Sequence, residues 1–349
     1  MKVAIDKNCI DKIKDFEEFE YVYIFEDELL SDLLKIDLEC VHKDYARDID
    51  IDINLTDYKI DCLEKRNIKD KNWKKPIELP NYKFAIIVPN YNNDHGEYKG
   101  KTFLQNCIES ILSQTYKNFY LIIIDDMSTD TSVETVDKYV DNRIILIQNN
   151  RKRYNGGSRN VGIDKAKELG VDYICFIDSD DWWIDNKVLE HINKKMYNHE
   201  MMILGSQMLF PNGRITIQRN KYDTYEDVYF CINKVWCTAW SRVIRTDKIV
   251  YFCEDTLMED RVWSYKQADN IDFDKITNIN RICYVWNRLN TSNSVSLTRG
   301  GFWDASAWCH IGHQLQFMDN MKHKEFKPIL ERRIKQCIEK ANSGTYQQY

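Results

Sequence analysis

The chain has 349 residues, of which 43% are apolar and 30% charged, and a formal net charge of -6. That length and balance suit one large α/β domain with additions and exclude a disordered polymer. The mild acidity argues against a protein that wraps duplex nucleic acid, which draws most of its affinity from neutralising phosphates.

The chain opens as MKVAIDKNCIDK, without the apolar run of a signal peptide. Residues 1–80 begin with an acidic excess. Within them Tyr21-Val22-Tyr23-Ile24-Phe25 reads as a strand and Glu28 to Ile36 as a short helix, while Asp48 to Asn54 alternates Asp with Ile as a half-exposed strand would. A basic run over 64–76 ends at Pro76 and Pro80 and reads as a solvated linker. The expectation is a small α+β appendage over 1–80.

A larger domain, expected over 81–300, starts at Phe84-Ala85-Ile86-Ile87-Val88-Pro89, a short apolar strand stopped by proline. The spacing then predicts a helix over 102–114, a strand over 120–124 and a helix over 128–139. A strand over 144–148, a helix over 158–169 and a strand over 171–177 follow. Alternation of this kind predicts a mostly parallel sheet flanked by helices, with ligands gathered at the carboxyl ends of the strands.

Polar residues fall at those ends. Asp178-Ser179-Asp180-Asp181 follows the buried run Tyr173 to Ile177. Three carboxylates this close repel one another unless water or a cation offsets them, and hard oxygen donors suit Mg2+ or Mn2+. The plainer reading is an acidic turn capping a helix that begins near Trp183. Asp125 and Asp126 end another strand and are able to accept from a base N–H; Ser128 or Asp130 after them would cap the next helix. At the first strand end, Pro89-Asn90-Tyr91-Asn92 offers a ring for base stacking and an amide for ribose or backbone. In Asn155-Gly156-Gly157-Ser158-Arg159-Asn160-Val161-Gly162 the glycines permit close approach, and the helix start offers N–H groups to anions. Arg159 there would bind phosphate or pair with an Asp of a neighbouring strand. The glycine spacing matches neither a dinucleotide fingerprint nor a P-loop.

Taken in order, these pieces resemble the donor-binding half, 84–184, of the inverting glycosyltransferase family 2 with its GT-A fold. The resemblance rests on Ile87 to Asn92, Ser110-Ile111-Leu112-Ser113-Gln114-Thr115-Tyr116, Ile124 to Asp130, Arg159-Asn160-Val161-Gly162 and Phe176 to Asp181. Asn90 and Met127 depart from the family's usual Thr or Ser and Gly. The resemblance implies a nucleoside-diphosphate sugar as donor, UDP-sugar favoured, with Asp125 or Asp126 on the base. Asp178, Ser179 and Asp180 would lie at the nucleotide, Asp180 as the direct ligand of Mn2+ or Mg2+ and Asp178 beside it. Pro89, Asn90, Tyr91, Asn92, Gly157 and Arg159 complete the donor site it implies.

The second half, 185–300, is expected to bind the acceptor. The stretch Val235 to Arg242 resembles the family's turn under the acceptor, with Trp240 in contact with it. Met258-Glu259-Asp260-Arg261 resembles the acidic pair that supplies the general base: Asp260, with Glu259 as the alternative. Without the upstream motifs the pair reads as an N-cap before an exposed helix. Tyr284-Val285-Trp286-Asn287-Arg288, followed by Ser292, Ser294 and Ser296, resembles the segment that closes over the diphosphate, with Arg288 as its cation.

A C-terminal helical region, 301–349, follows. His310 and His313 lie three apart there, and His310 is a candidate late metal ligand beside the reading of a packed histidine. The stripe Ile329, Leu330, Ile334 and Ile338 on a basic helix reads as interdomain or homo-oligomer packing, with peripheral membrane contact as the alternative. The eleven cysteines are scattered and contain no CxxC pair, and no run of transmembrane length occurs. A cytoplasmic protein, peripheral at the inner face of the membrane, is expected.

The function expected is metal-dependent inverting transfer of a sugar to an acceptor hydroxyl, in surface glycan or polysaccharide synthesis, with a glycan or lipid-linked acceptor. A protein or modified nucleobase is the alternative acceptor. A catalytically inactive sugar-nucleotide-binding module is the alternative of another class. A nucleotidyltransferase is disfavoured, because no glycine-rich basic signature follows the first strand.

Overall fold

The computed structural model describes the backbone of residues 2–6, 21–25, 47–48 and 61–63, and residues 80–152, 154–196, 199–218, 222–231, 238–289 and 300–343. The chain divides into two units, Met1–Pro80 and Asn81–Tyr349. In the first, strands β1 (Lys2–Asp6), β2 (Tyr21–Phe25), β3 (Arg47–Asp48) and β4 (Asp61–Leu63) form a sheet ordered β3-β1-β2-β4. The strand expected at Tyr21 to Phe25 is β2, parallel to β1. The helix expected at Glu28 to Ile36, most of the Asp–Ile alternation and the basic run lie outside the described residues.

The second unit is built on a nine-stranded sheet ordered β7-β6-β5-β8-β12-β10-β13-β9, with β11 paired to β10. Its first half comprises β5 (Phe84–Asn90), β6 (Phe119–Asp125), β7 (Ile144–Gln148) and β8 (Tyr173–Phe176), all parallel. Every residue of β5 is buried, because helices cover both sheet faces. Side chains such as Ile86, Ile87 and Val88 each contribute about 1.5–3 kcal/mol by leaving water. The strand runs past Pro89 to Asn90, one residue beyond the expected stop. Pro89 pairs opposite Ile124, and Asn90 opposite Asp125.

In the second half, β9 (Trp182–Trp183), β10 (Met201–Leu209), β11 (Ile215–Gln218), β12 (Arg242–Arg245) and β13 (Ile276–Asn287) pair in mixed directions. Strand β12 runs antiparallel to both β8 and β10, β10 runs parallel to β13, and β9 runs antiparallel to β13. The mostly parallel sheet expected thus has its continuous parallel run in β7-β6-β5-β8, with β10 and β13 as a further parallel pair.

Helix α1 (Phe103–Leu112) carries a reciprocal cap: the Thr102 hydroxyl accepts from the Gln105 N–H, and the Gln105 side chain accepts from the Thr102 N–H. Helix α2 (Ser132–Asp137) starts later than the expected 128, because Ser128, Thr129 and Asp130 are drawn into hydrogen bonds with Asn92. Helix α3 (Asn155–Glu168) starts earlier than expected. No helix begins at Trp183: Trp182 and Trp183 are β9, and the next helix, α4, is Val188–Lys195. The aspartate cluster therefore caps nothing there.

Helices α5 (Tyr225–Phe230), α6 (Glu259–Asp269), α7 (Gly300–Asn320) and α8 (Lys327–Asn342) share one core. Tyr229, Phe230, Tyr265, Ala307, Ile311, Leu330 and Ile334 meet in it, so the Leu330–Ile334 stripe packs within the same unit. Among the described residues, no helix is long and apolar enough to cross a membrane.

Candidate active site

The strand register sets Asn90, Asp125 and Gln148 side by side at the carboxyl ends of β5, β6 and β7. Here the protein occupies much of its own polar capacity. Asp125 accepts from the Ser128 N–H at 3.1 Å and from the Asn90 amide at 3.4 Å. Asp126 accepts from the Asn149 amide at 2.6 Å and from the Tyr154 N–H at 2.8 Å. Asn92, in the left-handed region at φ 51°, joins two strand ends: its Oδ1 accepts from the Thr129 N–H at 2.7 Å. Asn90 is buried, and its Oδ1 has no partner among the described residues. Tyr91 is 41% exposed, as a stacking ring must be. Pro89 is buried in the strand.

Gly157 is packed against backbone. A Cβ there would stand 1.9 Å from the Lys152 carbonyl oxygen, so this glycine lets α3 begin beneath the 149–154 loop. That loop in turn presents Asn149 and the Tyr154 N–H to Asp126.

Beyond β8, the acidic cluster divides its work. Asp181 is buried and structural: it accepts from the Tyr284 hydroxyl at 2.6 Å and the Asn287 N–H at 2.7 Å. Ser179 is buried too, its Oγ accepting from Asn93 at 2.6 Å. Tyr284 also receives the Asp178 N–H at 3.2 Å, so a single phenol orders both ends of the cluster. Asp180 keeps the unbalanced charge. Burial, with Asp178 adding to it and Arg288 opposing, pushes its carboxyl up to about 7. A carboxylate in that state, beside a second one, fits a hard divalent cation. Among the described residues no group of three His, Cys, Asp or Glu stands ready to hold one, so donor oxygens would have to complete the shell.

Arg159 makes the pairing with aspartate foreseen as one of its two options. It is 1% exposed and binds three carboxylates. Nη2 donates to Asp178 at 2.8 Å, and Nη1 to Glu259 at 2.7 Å and Asp260 at 3.2 Å. Its neighbour Asn160 ties α3 to the next segment, accepting from the Phe252 N–H at 2.9 Å and donating to the Phe252 carbonyl at 3.0 Å. Glu259 and Asp260 open α6, which is largely buried rather than exposed. Asp260 also takes a backbone hydrogen bond from Ala239; burial raises its carboxyl against the pull of Arg159. Burial, with Asp260 alongside, pushes Glu259 up to about 8. A raised carboxyl is what a general base near neutral pH requires.

Two expectations change. Trp240, expected against the acceptor, is 2% exposed and stacks on Tyr284 with centroids 4.3 Å apart, where it supports the Asp178–Asp181 turn from behind. His310 is fully buried in the helical core and, in the absence of any three-residue metal cluster among the described residues, does not join Asp178 and Asp180. Burial pushes its imidazole down to about 3, so it stays neutral. His313 instead meets Asp255 at 2.5 Å. Arg288 lies over Trp286 and within electrostatic reach of Asp180, whereas Asn287 is buried and donates to the Asp180 carbonyl at 2.9 Å. Residues 232–237 and 290–299, with Ser292, Ser294 and Ser296, lie outside the described residues.

Tyr284, Asn149, Asn93 and the Ala239 N–H had no assigned part in the sequence reading. Tyr284 and Ala239 lay within quoted motifs; the other two carry no local signal for these roles, since Asp126 is 23 residues from Asn149 and Ser179 is 86 from Asn93.

This sheet, curled from a parallel half into a mixed one with acidic residues at the junction, defines a GT-A fold. Residues 85–251 match the family described as Glycosyl transferase family 2, so this part of the chain is a domain of that family. It is 43% identical over 109 residues to the UDP-Glc:alpha-D-GlcNAc-diphosphoundecaprenol beta-1,3-glucosyltransferase WfaP of Escherichia coli, covering 31% of this chain and 39% of the relative. It is 32% identical over 137 residues to the enzyme of the same description, WfgD, from that organism, covering 39% and 50%. The matches thus span half or less of these relatives. Among solved structures, Staphylococcus aureus TarS 1–349 in complex with UDP-GlcNAc superposes with a TM-score of 0.55 at 20% identity, over 71% of this chain and 70% of that one, a likeness of fold.

Proposed function

We propose that this chain is a metal-dependent inverting glycosyltransferase that moves a sugar from a UDP-sugar to a hydroxyl of a glycan or lipid-linked acceptor in surface polysaccharide synthesis. The observation that carries the reading is the meeting of Asp178 and Asp260 on one buried guanidinium, which sets the donor-side carboxylate beside a carboxylate suited to be a base. Support for the donor and acceptor classes comes from the two E. coli relatives, whose names state both.

In this reading Asp260 takes the proton of the acceptor hydroxyl, and the oxygen attacks the anomeric carbon from the face opposite the nucleotide. Asp125 and Asp126 hold the base, Tyr91 stacks on it, and Arg288 faces the diphosphate. Asp180, with Asp178 beside it, would hold Mg2+ or Mn2+, which when bound would offset the charge of the departing diphosphate. One displacement inverts the anomeric centre, and no second carboxylate is required to protonate the leaving group. A lipid-linked acceptor would bring the protein to the inner face of the membrane.

The test is release of nucleoside diphosphate from a panel of UDP- and GDP-sugars, with Mn2+, Mg2+ or chelator, in the presence of GlcNAc-diphosphoundecaprenol. Metal-stimulated release from a UDP-sugar with glycolipid product is expected. Binding of a donor without turnover, with every acceptor fraction and metal, would leave an inactive binding module instead.

A further inference from the structure

The acidic pair that opens α6 is asymmetric, and the asymmetry assigns its members different work. Side-chain exposure is 25% at Asp260 and 28% at Asp178, but 7% at Glu259 and 1% at Arg159. Glu259 is therefore shielded from any acceptor. It makes the shorter of the two contacts to Nη1, 2.7 Å against 3.2 Å for Asp260.

We propose that Glu259 is a positioning residue that acts through Arg159, bracing the guanidinium so that Asp260 and Asp178 are held in a fixed relation. The inference rests on the reading of Asp260 as base. Its physical ground is the rigid planar fork of arginine: two nitrogens cannot shift independently, so a carboxylate that fixes Nη1 also fixes the direction of Nη2 toward Asp178. The Phe252 ring, 5.3 Å from the guanidinium carbon, closes one side. Asp260 is faced by Arg159 from α3, Asp178 from the end of β8, Arg242 from β12, the Ala239 backbone and its own neighbour Glu259. Without the brace, Arg159 turns toward Asp260, favours its charged form and loosens its hold on Asp178. The reaction then loses alignment, which costs rate more than donor affinity.

The test uses the full chain, Mn2+ and whichever of UDP-glucose, UDP-N-acetylglucosamine and GDP-mannose the wild type turns over fastest. Glu259→Gln is expected to lower kcat by about 10–100-fold, with donor KM within about twofold, as misalignment does. The acid limb of the kcat–pH profile is expected to move to lower pH, because Asp260 gains more of Arg159. Arg159→Lys, which keeps the charge and loses the fork, should give a similar kcat loss, and Glu259→Asp should recover most of the activity. Asp260→Asn serves as the control on the parent reading. If Asp260→Asn retains wild-type turnover, or no donor is turned over at all, the parent reading fails. If Asp260→Asn is impaired while Glu259→Gln lowers only the melting temperature and leaves kcat and the pH profile in place, the brace is overturned. It is equally overturned if Glu259→Gln matches the loss in Asp260→Asn and abolishes the acid limb, since Glu259 is then itself the base.

Discussion

The two acidic regions of the site are built on opposite principles. At the ends of β5 and β6, Asp125 and Asp126 are surrounded by short-range donors: the Ser128 and Tyr154 N–H groups and the amides of Asn90 and Asn149. At the junction of β8 and α6, Asp178, Glu259 and Asp260 crowd around one buried guanidinium, and Asp180 beside Asp178 has Arg288 opposing its charge. The first region is a finished wall that holds its shape alone. The second has more negative charge than the protein offsets, and burial raises Asp180, Glu259 and Asp260 accordingly. Recognition of a constant part of a ligand suits a finished wall; chemistry suits a site whose charge is completed only when its reactants arrive.

Substitutions on each side test that contrast. Asp260→Asn should cause the largest loss, about 10³-fold in kcat with donor KM little changed, measured by initial rates of nucleotide release. A fall of less than about tenfold would remove Asp260 from the base role. Asp180→Asn should come next, with about 10²-fold lower turnover and a loss of Mn2+ dependence in the same assay, read beside calorimetric titration of UDP with and without the ion. On the finished side, Asn149→Ala removes a charge-assisted bond to Asp126 worth about 1.5–3 kcal/mol. UDP binding should weaken by about tenfold while kcat at saturating donor holds. An Asn149→Ala kcat loss as large as that of Asp180→Asn would erase the distinction between wall and reaction centre.

The smallest effect is a pH dependence of stability without metal. Asp180 has a folded-state carboxyl near 7 against an ordinary 3.8, so the folded state holds a proton that the unfolded chain has released. That stabilisation is complete below about pH 4 and is lost as pH rises through about 7. The melting temperature should therefore drop by a few degrees between pH 6 and pH 8, and Mn2+ should restore it at pH 8 more than at pH 6. Asp180→Asn should flatten both responses. A melting curve insensitive to Mn2+ at pH 8 would count against Asp180 as the ion's ligand.

Much of the fold was legible because its signals are local. The runs at Phe84 to Val88, Phe119 to Ile124 and Tyr173 to Phe176 are apolar on both faces, which marks buried parallel strands, and the carboxyl ends of such strands mark the site. The family and the aspartates at strand ends follow from those runs and their flanking motifs. The rest depended on distance in the chain. That Trp182 and Trp183 form a strand is decided by pairing with Tyr284 and Val285, about a hundred residues on, and no local pattern encodes it. The choice of Arg159 between phosphate and carboxylate was settled by α6, whose Glu259 lies 100 residues away. Trp240 looked like an acceptor platform until Tyr284 stacked on it. The sequence by itself determined which residues carry charge and where strands and helices alternate, since propensity and hydrophobic period act over a few residues. Only the tertiary structure decided which charges meet, which are neutralised and which are left for a substrate, because those depend on burial and on partners brought together by folding.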